Sequence, residues 1–281
     1  GARSEAGARS EAGARSEAAV VAEVQRSLDV THGPVFRAVQ LGTPSHPKLL
    51  LVAHHLVIDG VSWRVFLEDL DAAYRAHLSG EPVVLPRVGS SYRDWSEALH
   101  EYGKSAAARR EERYWERQAA RVEGPLTSIA GDRAPESTSR TVVTRLDPAE
   151  TRLLLRGIHK AYRTRINDVL LTAFALALVG DSTHDSAWFD LEGHGREPID
   201  PRLDLLRTLG WFTSIRPIRL DLPSDRDLGR SLMSVKEQLR VAHLNGIGYG
   251  ALRVGTDVGA VGGKEGPTIA FNYLGQTDRL I

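Results

Sequence analysis

The chain has no cysteine in 281 residues, so disulfides, thiolate metal sites and a cysteine nucleophile are excluded. Net charge is missing as well. The 36 basic residues balance 36 acidic ones, which argues against a bulk electrostatic hold on nucleic acid or on an anionic membrane. No apolar run approaches the roughly 18–20 residues that span a bilayer. The first residues also lack the hydrophobic segment of a signal peptide, and a cysteine-free chain of this kind suits the cytoplasm. Aromatic residues are few, at 6%, but a hydrophobic content of 42% is enough for a core. The length allows one large domain or two of ordinary size.

What is present begins with three copies of Gly-Ala-Arg-Ser-Glu-Ala. A six-residue period has no helical apolar stripe, so residues 1–18 read as a low-complexity, solvated tail. Folding signals start after it. Residues 19–28 predict a short helix. Val35–Leu41 and Leu49–Ala53 predict a hairpin across a proline-rich turn. The apolar spacing from Ser62 to Leu78 predicts an amphipathic helix stopped by Gly80. Ser91–Gln118 predicts one long helix or two, and 121–139, rich in Gly, Pro and Ser, predicts an interdomain linker. Beyond it come a strand at 140–146, a helix from Asp147-Pro148 to Tyr162 and a core helix at 167–179. A strand at 186–192, a strand at 210–220, a helix at 228–244 and a strand at 267–274 follow. Strands and helices mix without a regular β-α-β rhythm, which predicts an α+β fold. The expected divisions are the 1–18 tail, a partial N-terminal lobe at 19–120, the linker, and a C-terminal lobe at 140–281.

Two segments have the form of a strand leading into a catalytic loop. In the first, an apolar run delivers His54 and His55, with Asp59 and Gly60 just beyond. Successive strand side chains point to opposite faces, so only one of the two histidines can face a given cleft. The same divergence argues against a metal site. In the second, Glu192 lies between a strand and the glycines Gly193 and Gly195. A histidine and a glutamate from different parts of a chain can serve as base and acid on one carbon. Blander readings exist for each: a structural histidine pair, Asp59 as a turn residue paired with an arginine, and Glu192 paired with Arg196. Trp63 and Trp211 read as packing residues, with the edge of the cleft as the alternative place for either. The glycines at 246, 248 and 250 follow a helix and lack the Gly-Lys-Ser/Thr ending, so they do not form a phosphate loop.

Together the motifs resemble the epimerization domains of nonribosomal peptide synthetases, a branch of the condensation-domain superfamily. His54-His55-Leu56-Val57-Ile58-Asp59-Gly60 fits the pattern HHxxxDG, and Val61-Ser62-Trp63-Arg64 leans toward the epimerizing branch. Residues 192–197 (EGHGRE), 210–214 (GWFTS), 249–253 (YGALR) and 271–276 (FNYLGQ) resemble the branch's further segments. The resemblance covers about residues 19–281 and implies a two-lobed fold like chloramphenicol acetyltransferase, with the first lobe incomplete and the chain truncated at both ends. It implies inversion, from L to D, of the α-carbon of an aminoacyl or peptidyl thioester. His55 and Glu192 are the implied proton-transfer residues, and which of them takes the proton is left open. Asn272 and Tyr273 are implied to orient the thioester or the enolate. His54, Asp59, Gly60, Trp63, Gly193, His194 and Arg196 are implied to complete the motif framework. No metal or cofactor is expected on this chain. The phosphopantetheine arm would come from a peptidyl carrier protein, with adenylation and condensation domains as neighbours. The alternatives are a condensation domain that forms peptide bonds with His55, and an inactive fragment that only docks a carrier protein.

Overall fold

The computed structural model describes residues 16–43, 45–119, 138–180, 182–255 and 267–275. The repeat through residue 15, the expected linker from 121 through 137, and Gln276 of the last motif lie outside the described residues. Contacts gather the chain into two compact units. One holds the described residues up to Arg87 together with Arg207–Trp211. The other holds Val88–Leu206 and the described residues from Phe212 onward.

In the first unit, helix α1 (Glu17–Arg26) starts at Ser16, whose Oγ accepts from the Ala19 N–H. Strands β1 (Phe36–Thr43) and β2 (His46–Ala53) form the expected antiparallel hairpin, with Phe36 opposite Ala53 and Thr43 opposite His46. Helix α2 (Gly60–Ser79) ends where Gly80 adopts a left-handed conformation at φ 69°, as the stop signal predicts. The side chains of Ser62 and Val65 are buried, and the Phe66 ring meets Phe36 at 5.4 Å and Trp63 edge-on at 5.9 Å.

The second unit opens with α3 (Tyr92–Lys104) and α4 (Ala106–Ala119). The predicted helical stretch is therefore two helices, with the break at Ser105, whose backbone is extended. Asp147 caps α5 (Pro148–Arg152) as expected. The chain continues through a π-helical turn (Leu153–Gly157) into α6 (Ile158–Tyr162). Then come α7 (Ile166–Val179), β3 (Ser186–Gly193), β4 (Ser214–Asp221), α8 (Leu228–Leu239), α9 (Gly248–Gly255) and β5 (Ala270–Phe271). Strand β3 is central, antiparallel to β4 and parallel to β5. Pro217 is tolerated in β4 because β4 is an edge strand of this sheet. The core packs α7 and α8 on the sheet through Leu171, Ala175, Val179, Ala187, Phe189, Leu220 and Val235. A second cluster joins α3, α4 and α9. There, buried Glu111 accepts from the Tyr102 hydroxyl at 2.6 Å and from the Trp115 indole N–H at 3.0 Å. Burial and that carboxylate raise the Tyr102 pKa.

Several expected boundaries differ. Residues 140–146 form no strand: Val142 and Val143 are exposed, and no described strand offers them a ladder. Strand β4 begins at Ser214 rather than 210, because the N–H and C=O of Gly210 bond to Ser62 instead. Helix α8 stops at Leu239, short of 244, and Gly248 and Gly250 lie in the short helix α9. The last strand is only two residues long. No helix among the described residues is long and apolar enough to cross a membrane.

Candidate active site

The histidine pair does not sit at adjacent strand positions. β2 ends at Ala53; the His54 N–H still donates to the Val35 carbonyl at 2.8 Å, and His55 opens a short 3₁₀ turn, His55–Val57. The two rings are separated by this turn, not by strand alternation. His54 Nδ1 accepts from the Leu56 N–H at 3.2 Å, so that ring is used as a local cap. His55 is exposed and its ring lies 5.3 Å from that of Trp211, tilted by 56°. Among the described residues neither ring nitrogen of His55 is hydrogen-bonded, which leaves both for proton exchange. Asp59, only 2% exposed, caps α2 by accepting from the Ser62 N–H at 2.7 Å. Gly60 begins that helix and Trp63 lies half-buried on it.

Glu192 is placed by sheet register. The parallel pairing sets Leu191 opposite Phe271, so the next residues, Glu192 and Asn272, emerge side by side at the same ends of their strands. The Asn272 amide donates to Glu192 Oε2 at 2.6 Å. Among the described residues Oε1 has no donor and remains available for proton transfer. Asn272 thus braces the carboxylate; Tyr273 beside it is half-buried. Asp190, two residues earlier on β3, shares the face of Glu192; burial pushes its carboxyl pKa up, and Arg253 opposes that shift.

After Glu192 the chain turns sharply. Gly195 has φ 66°, and a side chain there would run into the Phe212 carbonyl, so the position requires glycine. Gly193 sits close to the Ser214 hydroxyl. His194 Nδ1 accepts from the Arg196 N–H at 3.1 Å, and its Nε2 faces buried Glu197 at 3.5 Å. Glu197 also accepts from Asn245 at 3.0 Å. The Arg196 guanidinium donates to the Leu205 carbonyl at 2.7 Å and lies 3.8 Å over the Phe212 ring, a structural placement. Arg216 of β4 is buried, which lowers its pKa against the pull of Tyr114 and Glu197.

The sequence reading missed three groups. Ser62 exchanges two hydrogen bonds with Gly210, donating at 2.9 Å and accepting at 3.1 Å. Arg207 bonds Asp69 at 2.5 Å and Glu68 at 3.4 Å. Glu197 and Asn245 brace the turn after Glu192. The only sequence signal for the first two is helical spacing: Ser62 and Asp69 lie two turns apart on one face of α2.

The condensation-domain profile matches residues 4–280. The chain belongs to the condensation-domain family. It is similar to one polypeptide of the linear gramicidin synthase of Brevibacillus parabrevis, 42% identical over 270 residues, which cover 93% of this chain and 4% of that protein. It is also similar to one polypeptide of the mycosubtilin synthase of Bacillus subtilis, 39% identical over 262 residues, 92% of this chain and 10% of that one. Among solved structures, the epimerization domain from the third module of tyrocidine synthetase B matches with a TM-score of 0.83 at 36% identity, covering 94% of this chain and 62% of that one. The first condensation domain of the CDA synthetase shares the fold, with a TM-score of 0.62 at 23% identity over 84% of this chain and 50% of that one. This condensation-domain chain therefore spans a small part of its curated relatives and less than two thirds of the solved epimerization domain. Its fold class is α+β and chloramphenicol acetyltransferase-like, as the motifs imply.

Proposed function

We propose that this condensation-family chain is of the epimerizing type and belongs to a nonribosomal peptide synthetase working in the cytoplasm. The reaction is inversion of the α-carbon of an aminoacyl or peptidyl thioester. One observation carries the reading: a glutamate at a strand end, braced through one oxygen by Asn272 and with the other oxygen available. Peptide-bond formation by a condensing domain has no need of such a carboxylate. The greater likeness to an epimerization domain than to the CDA condensation domain supports the same choice.

The chemistry follows from the weak acidity of a proton beside a thioester carbonyl. A base must take it from one face, the enolate oxygen must be stabilised, and an acid must return a proton to the other face. His55 and Glu192 are the residues proposed for these two roles. Inversion in both directions requires each to act as acid in one and as base in the other. Tyr273 would orient the thioester, and Asn272 would hold Glu192. The substrate would arrive on the phosphopantetheine arm of a peptidyl carrier protein. Adenylation and condensation domains are the proposed neighbours, in keeping with the small share of each relative that this chain spans.

The test uses a carrier protein loaded with an L-aminoacyl group and incubated with the chain in deuterated water. Deuterium at the α-carbon with both stereoisomers present is the expected result. Glu192→Gln and His55→Gln are each expected to lower that exchange by about 10²-fold or more. Unimpaired exchange in Glu192→Gln would overturn the two-residue reading. Peptide-bond formation without exchange would favour the condensing type, which the family match alone also accommodates.

A further inference from the structure

The segment Arg207–Trp211 is fastened to α2 at two points. Arg207 bonds Asp69 and Glu68, and Gly210 exchanges two hydrogen bonds with Ser62. The spacings match. Ser62 and Asp69 are seven residues apart on a helix, about 10 Å. Arg207 and Gly210 are three residues apart, and an extended chain covers about 10 Å in three residues. Burial alternates along the segment: Thr208 3% exposed, Leu209 41%, Gly210 buried and Trp211 39%. The backbone itself is irregular, with Arg207 in a turn and Gly210 at a bend, so the two anchors rather than a strand set its course. The segment therefore runs antiparallel to α2, and its next residue, Trp211, arrives at the helix N-terminus, where the 3₁₀ turn presents His55. The Trp211 ring is the only ring packed against the His55 imidazole among the described residues.

We propose that Arg207 is a positioning residue, whose anchorage to Asp69 and Glu68 holds the Trp211 indole against His55 and so fixes the imidazole for proton transfer. Because His55 sits on an exposed turn, nothing in a packed core holds its ring. Its Nδ1 and Nε2 make no hydrogen bond among the described residues, and the indole is the ring packed against it there. The guanidinium is well inserted: Arg207 Nε is buried without a hydrogen-bond partner among the described residues, so its two carboxylate contacts carry the placement. This inference rests on the proposed role of His55, and its test is chosen to be read without that role.

The experiment records ¹H–¹³C spectra of the histidine rings of the full chain, with the His55 signal assigned by its loss in His55→Gln. An indole ring at this distance displaces that signal from its random-coil position. In Arg207→Gln the displacement is expected to collapse by more than half, and Trp211→Leu should abolish it. Arg207→Lys, which keeps a cation for Asp69, should retain most of it. On the carrier-bound substrate, Arg207→Gln should lower α-proton exchange by about tenfold, through kcat rather than KM. If Arg207→Gln fails to fold, Asp69→Asn, which removes only the charge of the partner, carries the same test. An unmoved His55 signal in a folded Arg207→Gln or Asp69→Asn variant overturns the proposal, whatever happens to exchange. Absence of exchange in the unaltered chain would instead count against the proposed function, while the spectra would still decide the anchorage.

Discussion

The two proposed proton-transfer groups are held by opposite means. Glu192 leaves the central strand of a sheet whose inner face is buried under α7 and α8. Its position follows from a register repeated across two neighbouring strands. His55 sits on a three-residue turn beyond a two-stranded hairpin. Its surroundings are set by one capping carboxylate, one serine and one arginine. A backbone position set by a packed core survives the loss of any single polar contact, and only the carboxylate at its tip relies on the Asn272 brace. A side chain delivered by caps and anchors depends on each of them, because no packed layer compensates.

This contrast can be broken first where it is strongest. Phe189 is fully buried on β3, with its ring edge-on to Phe174 at 5.0 Å. Phe189→Ala is expected to cost about 3–5 kcal/mol in chemical denaturation. In a variant that still folds, it should disturb the Glu192 region through the sheet while leaving the His55 signal in place. In the first unit, Asp59→Ala should cost about 1–2 kcal/mol, the usual value of a helix cap. Although the energy is smaller, this change is expected to shift the His55 signal more than Phe189→Ala does, because the cap and the turn adjoin. The reverse ranking in the spectra would dissolve the comparison.

The smallest effect sharpens the electrostatics of the second unit. Burial raises the Asp190 pKa above 3.8, so folding favours the protonated acid. Stability linked to this group is complete below the unfolded pKa and is lost as pH rises through the folded one. Asp190→Asn should therefore raise the melting temperature slightly at pH 7. The gain should shrink as pH falls through the carboxylate range and vanish below the ordinary value of 3.8. A gain independent of pH would show that charge burial is not its source.

Much of the fold was legible because its signals are local. The hairpin, the Asp147-Pro148 helix start and the Gly80 stop each rest on a few neighbouring residues, and the structure shows them. The motifs likewise marked the stretches around His55 and Glu192. What was hidden is non-local. The strand expected at 140–146 has the right residue types, but strand formation needs a partner that local composition does not reveal. The backbone groups of Gly210 were taken from β4 by Ser62, 148 residues away in sequence. Adjacency of the two histidines suggested strand alternation, whereas capping by His54 turned the chain instead.

One consequence of the β3–β5 pairing concerns time. Asn272 follows Glu192 by 80 residues, and only two residue pairs join their strands. On a growing polypeptide the carboxylate is made, and its central strand can settle beside β4, well before the amide that steadies it has been translated. Competence for chemistry would then be among the last properties this unit acquires as it is synthesised. A nascent chain stalled before Asn272 would carry the acid but not the hand that holds it still.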